Sequence, residues 1–184
     1  MEIIDRLLNA RCLRRKIADS RDRLYGVSLA WCGDSAVADD LVQETLMIAL
    51  QRIHQLRDTE RLNAWMYTIL SNCWKQHLRR MRPTIDIEDA ELCSDSDAEA
   101  GSSEQEIVDH VRSAILKLPN GQRQTITLVD LAGFSYAEVA EILDIPIGTV
   151  MSRLYTSRHS LQKVLVNFRT SQQPVEATYL RRVK

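Results

Sequence analysis

Residues 135–158, SYAEVAEILDIPIGTVMSRLYTSR, hold two short helical patterns broken by a tight turn. Ser135 and Glu138 stand in the spacing of a capping box, which starts a helix by satisfying backbone N–H groups that have no partner in the first turn. Val139, Ala140 and Leu143 then line one face, and Ile145, Val150 and Leu154 extend the apolar set past the break. Asp144 falls where a left-handed residue is wanted, a conformation Asp tolerates better than most. Pro146 and Gly148 punctuate the start of the second helix, and the small Ala140 lets the two helices approach closely. This is the helix-turn-helix pattern. A plain helical hairpin shares it, and the outward chemistry separates the two readings. Thr149, Ser152, Arg153 and Tyr155 occupy the first turns of the second helix, with Thr156 and Arg158 following and few acids beyond Asp144. Arg suits guanine or phosphate, hydroxyls suit phosphate, and the amides of a helix N-terminus suit an anion.

Helical spacing recurs upstream, and alternating strand patterns are missing. Leu24, Val27, Ser28 and Trp31 form one stripe. After Gly33, Ala38, Leu41, Val42, Thr45, Leu46, Ala49 and Ile53 form a second, with Asp34 or Ser35 as its cap. Trp65, Ile69, Leu70 and Leu78 describe a helix that ends in Arg79, Arg80 and Arg82, bases that complement a helix C-terminus. Further on, Ile107, Val108, Val111, Ile115 and Leu118 predict a helix closed by Pro119, and GQRQTITLVDLAG predicts another ended by Gly133.

Charge divides the chain. Residues 1–82 carry 14 bases against 10 acids, residues 83–106 carry 9 acids and no base, and residues 107–184 carry 10 bases against 6 acids. The net charge of −1 conceals two basic blocks around an acidic one. The acidic stretch has too few large apolar residues to offset the entropy of ordering, so it reads as a flexible linker over residues 83–105. The fold expected is all-α: two small helical domains, residues 1–82 and 106–170, followed by a tail at 171–184. The basic ends suggest a polyanion as partner, from which the linker is repelled.

Several functional classes lack support. Cys12, Cys32, Cys73 and Cys93 are far apart, as are the four histidines, so neither a zinc site nor a disulfide framework is signalled. No Gly-rich phosphate loop, nucleophile elbow or HExxH pair occurs, and no cofactor, metal or enzymatic activity is expected. No apolar run approaches the roughly 18 residues of a membrane span, and the N-terminus lacks the order of a signal peptide. A cytoplasmic protein with no direct membrane insertion is the expectation.

Two more surfaces carry candidate residues. Tyr67 and Trp74 lie near Lys75, Arg79, Arg80 and Arg82, a combination that can hold unpaired bases by stacking and charge; Trp65 shares the Ile69 stripe and suits the core. Asp39, Asp40, Gln43, Glu44 and Met47 mark one helix face, which is either simply solvated or a protein-docking surface.

The stretches ADDLVQETLMIALQRI, AWMYTILSNCWKQHLRR and LPNGQRQTITLVDLAGFSYAEVAEILDIPIGTVMSRLYTSRHSLQ, in this order around an acidic linker, closely resemble the bacterial sigma factors of the extracytoplasmic-function (ECF) group. The resemblance spans about residues 20–168. It implies a promoter-recognition subunit of RNA polymerase with core polymerase, promoter DNA and a membrane-associated anti-sigma factor as partners. By resemblance, Asp40, Gln43 and Glu44, with Asp39 and Met47 beside them, face the coiled-coil clamp of the polymerase largest subunit. Arg61, Tyr67, Asn72, Trp74, Lys75, Arg79 and Arg80 serve minus-10 recognition and melting, and the loop at 52–63 rims a pocket for an extruded base. Thr149, Ser152, Arg153, Tyr155 and Arg158 serve minus-35 recognition. The chain departs from its relatives in two places: where they commonly have arginines in the recognition helix it has Met151 and Thr156, and Leu70, Ser71, Asn72 replaces the usual pattern before the second half of the melting helix. A stand-alone helix-turn-helix regulator is the alternative reading.

Overall fold

A computed structural model describes residues 2–56, 58–81 and 103–172, with side chains described for 11–56, 58–81 and 107–166. The expected linker, apart from its last residues, and nearly all of the C-terminal tail lie outside the described residues. Those described are helical: α1 Glu2–Asp19, α2 Arg21–Cys32, α3 Ser35–Arg52, α4 Leu62–Met81, α5 Ser103–Leu116, α6 Asn120–Ile126, α7 Tyr136–Leu143 and α8 Ile147–Gln172. Two single 3₁₀ turns, Ile53–Gln55 and Thr59–Arg61, carry the chain from α3 to α4.

Helix boundaries follow from local chemistry. Gly33, at φ 73°, ends α2 and returns its N–H to Leu29 O at 2.8 Å. Asp34 then caps α3, its carboxylate accepting from the N–H groups of Ala36 and Val37 at 2.8 and 3.0 Å. Glycine suits position 33 for a second reason: a Cβ there would come within 3.0 Å of the Leu116 methyls, which the end of α5 lays over this cap. The capping box of α7 is complete, and Asp144 closes that helix at φ 57°, ψ 54°. Gly133 also has a positive φ, 79°, and ends the preceding segment as expected. That segment is not one uniform α-helix, because after Ile126 it widens into a π turn over Thr127–Leu131.

The apolar stripes read from spacing in α2, α3 and α4 are the buried ones, whereas at the start of α5 Ile107 and Val108 are 44% and 42% exposed. Leu24, Val27 and Trp31 of α2, Ala38, Leu41, Val42 and Ala49 of α3, and Leu70 and Leu78 of α4 all enter the core, and Trp65 is half-buried against it. The core does not stop at the first half. Leu128, Val139, Ile142, Leu143 and Val150 belong to the same continuous cluster, while Leu118, Ile126 and Leu154 form a small private core for the second half. The two halves are therefore docked rather than merely tethered. Burying a side chain of this size contributes about 1.5–3 kcal/mol, so the shared cluster is a substantial link between them.

The buried face of α6 is polar, against ordinary amphipathic logic. Asn120, Arg123, Gln124 and Thr127 recur at helical spacing and all four are buried. Each reaches across the seam or braces a group that does. Trp31 Nε1–H donates to Thr127 Oγ1 at 2.6 Å, and Trp74 Nε1–H donates to Asn120 Oδ1 at 2.8 Å. The Arg123 guanidinium, 2% exposed, donates to Trp31 O at 2.6 Å, to Leu118 O at 3.0 Å and to Leu116 O. It is thus a cation placed on carbonyls at the ends of α2 and α5, where helix dipoles are negative. Burial lowers its pKa, and no carboxylate offsets that burial among the described contacts of its guanidinium.

Candidate functional site

Three surfaces hold the residues that the sequence singled out. On α3, Asp40 and Gln43 are exposed, Glu44 is half-buried, and Asp39 is held by Arg21 Nη2 at 2.8 Å. Met47 is 54% exposed, and Leu50, one turn on and 44% exposed, extends the same face. The sequence reading passed over Leu50. It lies three residues beyond Met47, a spacing that makes the two neighbours on the helix surface.

On α4 and the turn before it, the candidates divide. Asn72, Arg79 and Arg80 are exposed. The other four are engaged by the second half of the chain. Trp74, 1% exposed, is bonded to Asn120 and stacks on His77 with ring centroids 5.5 Å apart. Tyr67 meets Phe134 edge-on at 4.9 Å and 73°, and burial raises its phenol pKa. Lys75 Nζ donates to Leu143 O at 3.0 Å, and Arg61 pairs with Glu141. Neither aromatic is free to stack on a base in this arrangement. A cavity of about 560 Å³ opens beside Tyr67, walled by Glu60, Arg61 and Asn63 on one side and Leu131 and Phe134 on the other. Three of those residues belong to the loop over residues 52–63, and the second half supplies the opposite wall.

On α8 the candidates again divide. Ser152 and Tyr155 face solvent, Tyr155 at 76% exposure and stacked on His159 at 6.4 Å. Thr149 is half-buried. Arg153 is half-buried too, folded over α6 so closely that a Cβ at Gly121 would lie 2.7 Å from its guanidinium. Arg158 donates through Nε and Nη2 to Asp130 at 3.2 and 2.5 Å. Exposed pairs of this kind contribute about 0–1 kcal/mol, so a phosphate can displace Asp130 at little cost. Met151 is 51% exposed and Ile147 47%, an apolar edge on a helix in which Arg153 and Arg158 are both engaged at home.

Among the described residues the architecture is thus helical, with a helix-turn-helix in α7 and α8 and a basic, aromatic helix in α4. Two family profiles match the chain: Sigma-70 region 2 over residues 17–84 and Sigma-70 region 4 over residues 109–161. The chain is 34% identical over 143 residues to the ECF RNA polymerase sigma factor EcfG of Rhodopseudomonas palustris, covering 78% of each. It is 30% identical over 155 residues to the RNA polymerase sigma-H factor of Pseudomonas aeruginosa, covering 78% of this chain and 80% of that one. Among solved structures, the sigma factor RpoE in complex with the anti-sigma factor NepR from Bartonella quintana superposes with a TM-score of 0.65 at 26% identity, over 83% of this chain and 95% of the other. The chain belongs to the ECF group of RNA polymerase sigma factors. Among the described residues no helix is long and apolar enough to cross a membrane.

Proposed function

We propose that this sigma factor divides its work among the three surfaces: α3 docks on core polymerase, α4 with the turn before it captures the melted minus-10 strand, and α8 reads the minus-35 duplex. In this reading residues 1–82 act as the polymerase-binding and melting unit and residues 106–170 as the duplex-reading unit. The protein works in the cytoplasm and recruits and positions without covalent chemistry. An anti-sigma partner, of the kind that RpoE binds in NepR, withholds it from polymerase until a signal releases it. The observation that carries the reading is the outward chemistry of the two end helices: Asn72, Arg79 and Arg80 on α4, and Ser152, Tyr155 and Thr156 on α8. Single strands are held by cations and stacking platforms, and duplexes by a helix presenting hydroxyls and planar groups to the major groove.

In vitro transcription with purified core polymerase and a library of genomic fragments tests it. Discrete start sites sharing two spaced elements are expected. Failure to bind core or to direct any start would overturn the reading. Arg80→Ala is expected to impair opening on linear duplex while sparing a pre-melted template, which separates strand capture from duplex reading.

A further inference from the structure

Arginine on guanine is the commonest specific contact in the major groove, yet Arg153 and Arg158 of α8 are both taken up by the protein itself. The Arg153 guanidinium lies over Gly121 of α6, and Arg158 forks onto Asp130. What the helix leaves outward is an apolar row. Ile147, Met151 and Tyr155 are exposed and follow one another at intervals of four residues, which makes each the surface neighbour of the next. His159 continues the row, its imidazole stacked on the Tyr155 ring with the two planes 5° apart.

Ser152 and Thr156, themselves four residues apart and exposed, form the next row, with Ser152 three residues before Tyr155. Their hydroxyl protons are committed to the helix: Ser152 Oγ donates to Thr149 O and Thr156 Oγ1 to Ser152 O, both at 3.0 Å. Toward the groove these hydroxyls therefore offer lone pairs. An apolar ridge edged by acceptors matches a pyrimidine that carries a 5-methyl group, with an exocyclic amine on the same base or on its partner. Thymine opposite adenine supplies that pair of groups, and so does 5-methylcytosine. The O6 and N7 acceptors of guanine do not match, and plain cytosine supplies the amine while leaving the ridge against water.

We propose that the ridge of Ile147, Met151 and Tyr155 reads the pyrimidine 5-methyl group itself, whichever base carries it, so that a methylated cytosine in the minus-35 element stands in for thymine. This rests on reading α8 as the duplex-contacting helix. Burying one methyl group against the ridge is worth about fourfold in affinity. Arg153 and Arg158, held on α6 and on Asp130, take no part in that difference. Promoter strength then depends on the methylation state of cytosines in the element as well as on its sequence.

The test uses polymerase holoenzyme assembled with the full chain. The holoenzyme first selects its minus-35 element from a randomised duplex. Each pyrimidine position of that element, on either strand, is then set in turn to cytosine, 5-methylcytosine or thymine, with the matching purine opposite, and the duplexes compete for holoenzyme. The expected result is one position or more at which 5-methylcytosine binds about fourfold tighter than cytosine and regains affinity toward the thymine duplex. That ratio should persist in Arg153→Ala and fall to one in Met151→Ala, a substitution at an exposed side chain. A holoenzyme that selects no minus-35 element overturns the reading of α8 on which the proposal rests. One that selects an element but binds cytosine and 5-methylcytosine alike at every position overturns the ridge as a methyl reader and leaves that reading standing. A methyl effect that survives Met151→Ala and vanishes in Arg153→Ala overturns it as well, because the arginine would then be the reader.

Discussion

The indole N–H of Trp31 and the hydroxyl of Thr127 meet at 2.6 Å across 96 residues of chain, both fully buried. The hydroxyl proton is committed elsewhere, to Arg123 O at 2.8 Å, so its lone pair is free for the indole. Thr127→Val keeps the shape and removes the acceptor, leaving a buried donor unpaired at a cost of about 1–3 kcal/mol. Trp31→Phe in that background should cost less than it does in wild type, since the lost partner is no longer missed. Urea unfolding of the four proteins in a double-mutant cycle measures this. Strictly additive losses would show that the pair is not coupled.

Arg123 should be the most sensitive polar position. Arg123→Met fills much of the volume but abandons Trp31 O, Leu116 O and Leu118 O together. Hydrogen bonds to charged groups contribute about 1.5–3 kcal/mol each and do not add fully, so a loss on the order of 3 kcal/mol is expected. Arg123→Lys should recover only part of it, because one ammonium cannot reproduce the guanidinium fork. Thermal unfolding decides, and a Met variant as stable as wild type refutes the assignment.

The capping box sets a pH dependence. Hydrogen bonds from the Ser135 hydroxyl and backbone N–H hold the Glu138 pKa below its ordinary value. A depressed folded-state pKa gives stability that is present above the unfolded value and is lost as pH falls through the folded one. Ser135→Ala should therefore cost about 1 kcal/mol at neutral pH, and the difference from wild type should shrink below roughly pH 4. A difference that stays constant between pH 7 and pH 3 would assign the cost to the hydroxyl's bond to the Glu138 N–H alone.

On the proposed reading of α8, the exposed apolar edge of Ile147 and Met151 suits a thymine methyl better than a guanine. Replacing thymine by uracil, one position at a time, in the minus-35 element should weaken wild-type binding about fourfold at one position, the equivalent of about 0.8 kcal/mol for a buried methyl. Met151→Ala should be insensitive to the same change. Met151→Arg should move the preference at that position toward guanine, read by selection from a randomised element on polymerase holoenzyme.

What could be read from the chain in advance was local. Asp34, Ser135 with Glu138, and Asp144 act within four residues of themselves, and each does in the structure what its position promised. Apolar spacing likewise named the buried faces of α2, α3 and α4, but not that of α5, where Ile107 and Val108 are exposed. It could not say what covers them. Trp74 lies among bases and so suggested a platform for a base, yet its partner is Asn120, 46 residues away. Arg123 entered only as one of the 10 bases of residues 107–184. Only its place in the stripe of Asn120, Gln124 and Thr127 marked it as different, and a polar stripe normally signals solvent. The widening of α6 into a π turn likewise has no local signature in TLVDL.

Because the two docked halves are one chain, they meet at an effective concentration on the order of millimolar. Their seam can therefore stay shut with an intrinsic affinity too weak to hold two separate proteins together. Each 1.4 kcal/mol added or removed there shifts the open fraction about tenfold, within reach of a single substitution at Asn120, Phe134 or Glu141. The balance between docked and open chains can then drift in evolution by changes that touch neither α3 nor α8.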